Sequence, residues 1–186
     1  DWVFFDEAIV LEAATADYLY SEFTPTTMPY TRGTRVFLEK IVDQVTAGLR
    51  DDRAKALALL DWVCELPRTY TRGAWLGGSS GALFHGGAEE EVIRKGSNMC
   101  NEMSRVLGIL AQIAGMPSRY VGHMTMIDYD DVAASTGHGV NEIYLEGRWA
   151  YFDIRGRFFL KSDGRFASAW DLLQDPGLIH RQTPEV

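Results

Sequence analysis

Apolar residues recur at helical spacing through the first two thirds of the chain and then give way to extended, alternating segments, so the pattern predicts helices first and strands later. Residues 4–20 carry apolar positions at mixed helical spacing, and Pro25 and Pro29 break that pattern in a Thr-rich connection. Between Thr34 and Leu49 the set Val36, Phe37, Ile41, Val42, Val45 and Leu49 follows the three-and-four spacing of an amphipathic helix. Asp51 is the predicted N-cap of a third helix carrying Ala56, Leu57, Leu60 and Val63. Pro67 closes that helix, because proline disfavours the α conformation at the residue before it.

Residues 68–97 are rich in glycine (Gly73, Gly77, Gly78, Gly81, Gly86, Gly87) and show little apolar periodicity before Ala88. A connection of that length in a compact domain is functional or mobile, and segment 71–87 is expected to shape a cleft or cover it. Glu89 to Lys95 reads as a short helix. From Met99 to Ala114 a stronger helix carries Met103, Val106, Leu107, Leu110 and Ile113 in one stripe, with Gly115 and Pro117 as its stop. Beyond Pro117 the expected strands are Arg119 to Ile127, His138 to Leu145 and Trp149 to Ile154, the last two joined around Glu146 and Gly147. A late helix near Ala167 to Leu173 precedes Pro176 and Gly177. This order predicts an α+β fold in one domain spanning 1–186, with a helical part at 1–50, a core at 51–160 and a C-terminal helix and tail at 161–186.

Composition narrows the function. Eighteen Lys and Arg against 26 Asp and Glu give the 186-residue chain a formal charge of −8, which argues against a nucleic-acid binder that works by phosphate neutralisation. It favours neutral or basic substrates only mildly. At 46% hydrophobic and 24% charged the chain reads as a soluble globular protein. No run of about 18 apolar residues is present to span a bilayer. The sequence begins at Asp1 with no basic-then-apolar leader, so the expectation is a trimmed or processed chain whose compartment and oligomeric state stay open. Cys64 and Cys100 are too few for a disulfide framework, and neither belongs to a CxxC pair. His85, His123 and His180 fall on separate elements without ligand spacing, so neither a metal nor another cofactor is expected.

The chemistry concentrates at Cys100. It opens the apolar helix just after Gly96, Ser97 and Asn98, and the unpaired N–H groups of a helix start favour a thiolate there. Cys64 lies mid-pattern in an earlier helix and reads as packing. The hairpin adds geometry. If Glu146 and Gly147 form a two-residue turn, Val140 faces Asp153 and His138 faces Arg155, so His138 and Asp153 become diagonal neighbours on one face. The carboxylate can then fix the imidazole tautomer and stabilise the imidazolium. A one-residue slip would separate them onto opposite faces.

The run from Ala88 through Gly96-Ser-Asn-Met-Cys100-Asn-Glu-Met to Gly115-Met-Pro-Ser-Arg119-Tyr-Val resembles the cysteine block of the transglutaminase-like superfamily. Gly137-His138-Gly-Val-Asn-Glu142 and Gly147-Arg-Trp149-Ala-Tyr-Phe-Asp153 resemble its histidine and aspartate strands, and the chain order Cys, His, Asp agrees. The resemblance covers about residues 50–160 and joins two blocks. It implies a papain-like fold, with the cysteine helix packed on an antiparallel sheet. Cys100 is then the nucleophile, His138 the base and acid, and Asp153 the orienting carboxylate. Asn98 stands where many members have glycine, and Met99-Cys100-Asn101 replaces the Gln-Cys-Trp of animal transglutaminases.

These roles imply a cysteine-dependent acyl-transfer enzyme acting on an amide or peptide bond of a protein or peptide substrate. The expected enzyme is a peptidase, an amidase or an amine-transferring transglutaminase, and the compact size of the chain tilts the expectation to hydrolysis. The alternative is a noncatalytic protein-binding module that keeps the fold; a redox role for Cys100 lacks a resolving partner. The Cys100 N–H is the expected first oxyanion donor, with Asn98, Trp75 or another loop side chain as the second. Trp149 and Tyr151 are candidates for the site wall or for core packing. Arg119 is expected to pair with a carboxylate or loop carbonyls, and Glu102 to complement the helix dipole.

Overall fold

A computed structural model describes residues 11–21, 29–68, 88–97, 99–125 and 136–182. Along these the chain forms helices α1 (Ala13–Leu19), α2 (Val36–Val45), α3 (Asp52–Cys64), α4 (Glu89–Lys95) and α5 (Cys100–Ile113). Strands β1 (Ser118–Thr125), β2 (Thr136–Leu145), β3 (Arg148–Asp153) and β4 (Arg157–Phe158) come next, then helices α6 (Ala169–Gln174) and α7 (Gly177–Gln182). The strands pair in sequence order, β1-β2-β3-β4, and every pairing is antiparallel. Mixed helices with a small antiparallel sheet make the α+β class expected from the pattern.

Local chemistry accounts for the element ends. The Asp51 carboxylate accepts a 2.8 Å hydrogen bond from the Ala54 N–H and so caps α3 as its sequence predicts. The Ser168 hydroxyl and Asp171 carboxylate form a reciprocal capping box on α6. On α5 the predicted stripe of Met103, Val106, Leu107, Leu110 and Ile113 is buried. On α2 the predicted face is corrected: Val36 and Phe37 are exposed, and the buried residues include Leu38, Ile41 and Val42. Leu38, Ile41, Val42 and Val45 are the true three-and-four stripe, and Phe37 instead packs its ring beneath the Arg94 guanidinium at 4.6 Å. The short β4 and α7 come after the expected strands and helix without a sequence pattern long enough to announce them. The N-terminal half of the predicted 4–20 helix lies outside the described residues.

The two faces of the sheet carry different cores. Ile143, Leu145, Ala150 and Phe152 join α2, α3 and α5 in the larger core. Val140 and Tyr151 project to the other face, where Phe159, Ala167, Ala169, Leu172 and Leu178 of the C-terminal segment cover them. That segment is stitched to the sheet by backbone bonds from Tyr151 N–H to the Ala167 carbonyl and from Ala167 N–H to the Phe159 carbonyl, each 2.8 Å.

Register is set at one turn. Glu146 and Gly147 have φ of 53° and 78°, the left-handed pair of a type I′ hairpin, and the ladder beyond them runs Leu145 with Arg148, Tyr144 with Trp149 and Glu142 with Tyr151. Gly147→Ala is expected to cost about 1–2 kcal/mol because alanine meets its own carbonyl in that conformation. Glu146→Asn should stabilise by some tenths of a kcal/mol, since asparagine tolerates it. Urea unfolding midpoints of the two variants check both signs.

Candidate active site

β2 and β3 bring His138 and Asp153 together: the ring Nε2 lies 2.9 Å from the carboxylate Oδ1. The Arg155 N–H donates to the same oxygen at 3.0 Å, and Asp153 is buried. With Nε2 donating to the carboxylate, Nδ1 is the nitrogen left to accept a proton. The contact is the one the two-residue turn predicts. A second imidazole shares the face, because His123 of β1 is the cross-strand partner of His138 and meets Tyr151 edge-on at 5.6 Å. Burial and the neighbouring His138 push the His123 pKa down, and burial next to Asp153 pushes the Tyr151 phenol up.

Cys100 is the first residue of α5, half-buried and with a free thiol. Its position along the sheet is set by two contacts further down the same stripe of the helix. The Ser104 hydroxyl donates to the Gly139 carbonyl at 2.8 Å, and the Ser118 hydroxyl donates to the Gly108 carbonyl at 2.9 Å, where Gly108 also faces the Asn141 side chain. One helical turn from Ser104 to Gly108 spans about 6 Å, close to the two-residue step from Gly139 to Asn141. Cys100 lies one helical turn before Ser104 in the same row of the helix.

Tyr120 of β1 borders the same place. A Cβ on Gly139 would fall 2.2 Å from the Tyr120 hydroxyl, so the phenol occupies the room that glycine leaves. Burial and the Cys100 charge both raise the Tyr120 pKa. Strand alternation turns the His138 and Asp153 side chains to the face opposite α5, two residues from the start of β2. Among the described residues no hydrogen bond joins Cys100 to His138. The structure therefore unites the ring and the acid, while the thiol sits on the helix that packs against the other face of β2.

Of the other predicted residues, Asn98 and Trp75 lie outside the described residues, as does the glycine-rich segment 71–87. Trp149 is 5% exposed and stacks under the Arg119 guanidinium at 4.1 Å, with Tyr144 edge-on at 5.4 Å. Arg119 donates to Glu142 at 2.6–2.8 Å and to the Leu19 carbonyl at 2.7 Å. Glu102 is buried rather than facing solvent, and one of its oxygens accepts the Ser97 hydroxyl at 2.5 Å. Ser97 Oγ in turn accepts the Met99 N–H, so the pair holds the chain just before Cys100. Cys64 donates its S–H to the Ile154 carbonyl at 3.3 Å, and burial raises its pKa. Among the described residues no group of three His, Cys, Asp or Glu side chains is placed to hold a metal, and no helix is long and apolar enough to cross a membrane.

Sequence reasoning missed Glu142. It is fully buried, accepts the Tyr20 hydroxyl at 2.9 Å and the Ala169 N–H at 2.7 Å, and pairs with Arg119. The pairing raises the Tyr20 phenol above its ordinary range, after burial as the larger cause. A carboxylate at a core-facing position of a strand is itself the signal that could have found it.

The model of the transglutaminase-like superfamily matches residues 39–154, more than half of the chain. The chain belongs to the transglutaminase-like superfamily. No curated protein matches it. Two solved structures resemble this superfamily member: a putative cysteine protease from Cytophaga hutchinsonii and a putative protease from Parabacteroides distasonis ATCC 8503. The first is 18% identical with a TM-score of 0.47, covering 78% of this chain and 43% of that one. The second is 15% identical with a TM-score of 0.45, covering 66% and 24%. The chain thus spans less than half the length of either.

Glu142→Ala in this transglutaminase-like domain removes the partner of a largely buried guanidinium and strands the Tyr20 and Ala169 donors. The expected loss is about 3 kcal/mol or more, read as a lowered urea midpoint.

Proposed function

We propose that this domain is a thiol-dependent acyl-transfer enzyme that cleaves an amide or peptide bond through a thioester. The observation that carries the reading is the 2.9 Å contact between His138 Nε2 and Asp153 Oδ1, which leaves Nδ1 as a base at the strand end beside the Cys100 helix. Superfamily membership supports it. Nδ1 takes the thiol proton, and sulfur attacks the carbonyl carbon as the carbonyl π pair moves to oxygen. The oxyanion then collapses, the C–N bond breaks, and the imidazolium gives its proton to the departing amine. The thioester is released by water or by a second amine, each deprotonated by the same ring. We favour water, and the substrate is a protein or peptide.

The Cys100 N–H at the start of α5 is the first oxyanion donor, and Asn98 and Trp75 are the candidates for the second. In unliganded enzymes the catalytic hydrogen bonds are often long and close in the substrate complex, and we assign the Cys100–His138 approach to that step. Asp153 fixes the tautomer and stabilises the imidazolium without taking the proton itself.

Two measurements test this. Iodoacetamide near neutral pH should alkylate Cys100 rapidly and Cys64 slowly, since burial holds the Cys64 thiol protonated. His138→Ala should slow the Cys100 reaction. Equally slow labelling of both cysteines, indifferent to His138, would instead mark a noncatalytic binding module. Against an N-blocked peptide amide, Asp153→Asn should lower kcat by about 10²–10⁴-fold with little change in KM, as expected when base orientation is lost but binding is kept.

A further inference from the structure

The turn that follows Asp153 holds two arginines beside the imidazole and the acid. The Gly156 N–H donates to the Asp153 carbonyl at 3.0 Å, Gly156 has a φ of 75°, and Asp153 and Arg157 face each other where β3 meets β4. This is a three-residue hairpin loop with glycine in its left-handed position. Asp153 opens the loop, and its carboxylate accepts the Arg155 N–H as in an Asx turn. The turn that fixes the orienting acid therefore also fixes the backbone of Arg155 and Arg157.

Strand parity sets the direction of Arg157. Residues directly opposite each other in an antiparallel pair project to one face, so Arg157 shares the face of Asp153, His138 and Tyr151. Its neighbour Phe158 turns the other way and packs on the larger core. Arg155 and Arg157 are exposed, and both guanidiniums act on the Tyr151 phenol, opposing the rise in its pKa that burial and Asp153 cause. Neither guanidinium has a carboxylate partner among the described residues, whereas Arg35, Arg105, Arg119, Arg165 and Arg181 each meet one. In a chain with 26 acidic residues for 18 basic ones a matched arginine is the ordinary case, and two neighbouring unmatched ones are the exception.

Charge decides the occupant. Asp153 is buried and engaged with His138 and the Arg155 N–H, so the exposed surface around it carries two positive charges without a counter-ion. A guanidinium presents paired N–H donors that match the two oxygens of a carboxylate. The chain's charge of −8 argues against a nucleic acid as the occupant, but salt screens exposed charges over about 8 Å, so a single acidic side chain meets only the local pair. β4 lies two strands from β2, about 10 Å, which is the length of about three extended residues. A peptide whose scissile amide lies at His138 thus brings a nearby side chain to the arginines. We infer that Arg155 and Arg157 form a carboxylate site at the His138 end of the sheet and select peptides with an aspartate or glutamate within about three residues of the scissile bond. The site rests on the acyl-transfer reading of Cys100, His138 and Asp153 and names its substrate class. It reverses locally the mild preference for neutral or basic substrates that the overall charge sets.

The test uses internally quenched oligoalanine peptides in which each alanine in turn is replaced by Glu, Gln or Lys, with kcat/KM as the readout. Glu should exceed Gln about five- to tenfold at one or two neighbouring positions, and Lys should fall below Gln there. Raising the salt from about 0.05 M to about 1 M should erase the difference, because the arginines are exposed. Arg155→Gln and Arg157→Gln should each shrink the Glu to Gln ratio, and the double variant should remove it. Should a variant fold poorly, the salt series on the wild-type protein decides alone. Equal rates for Glu, Gln and Lys at every position, with turnover still dependent on His138, overturn the carboxylate site and leave the enzyme reading standing. If no peptide is turned over, iodoacetamide labelling of Cys100 decides the enzyme reading separately: slow, His138-independent labelling ends it. The site is then judged by the Arg155 and Arg157 Nε resonances of the wild-type protein with millimolar N-acetylglutamic acid α-amide, and with N-acetylglutamine amide as the neutral control. Shifts with the acid alone keep the carboxylate site, and no shift or equal shifts remove it.

Discussion

A strand offers side chains to two faces by turns, and a two-residue hairpin fixes which residues of its two arms share a face. In this protein the left-handed pair Glu146 and Gly147 sets that parity for β2 and β3. The ring of His138 and the carboxyl of Asp153 therefore meet, and Ile143 and Phe152 point together into the helical core. A slip of one residue would bury the acid among leucines and turn the core residues to the other side. The same local geometry thus decides both stability and the assembly of the candidate site.

The two faces then divide the labour. One is closed by α5, whose small residues Ser104 and Gly108 permit a close approach to β2. The other is closed by the C-terminal segment, and Glu142 fastens it there. That carboxylate joins α1 through Tyr20, β1 through Arg119 and α6 through the Ala169 N–H. Buried ion pairs gain little over apolar packing but are costly to break, so their value lies in fixing which segments meet. Here they fix the cover over the face that carries the imidazole.

Much of this is legible in the sequence. The α5 stripe, the Asp51 cap and the hairpin obey short-range rules, and the contact between His138 and Asp153 needs the hairpin alone. The α2 face is misread because Val36 and Phe37 are as apolar as Leu38, and apolarity alone does not reveal that a guanidinium will shield an aromatic ring. Glu142 is invisible for the opposite reason: its partners Tyr20, Arg119 and Ala169 are scattered through the chain and meet only in three dimensions. The seat of α5 on the sheet is likewise non-local, fixed by the pairing of Ser104 with Gly139 and of Gly108 with Ser118.

The row Cys100, Ser104, Gly108 has a consequence for how this domain can change over time. Along it the helix is held off the sheet by little more than a hydroxyl, so these two lower positions act as a spacing gauge for the sulfur at the head of the row. Any bulkier group there would lift the helix like a shim and shift the sulfur relative to β2, without touching it. The position of the sulfur is therefore recorded in residues one and two turns away from it.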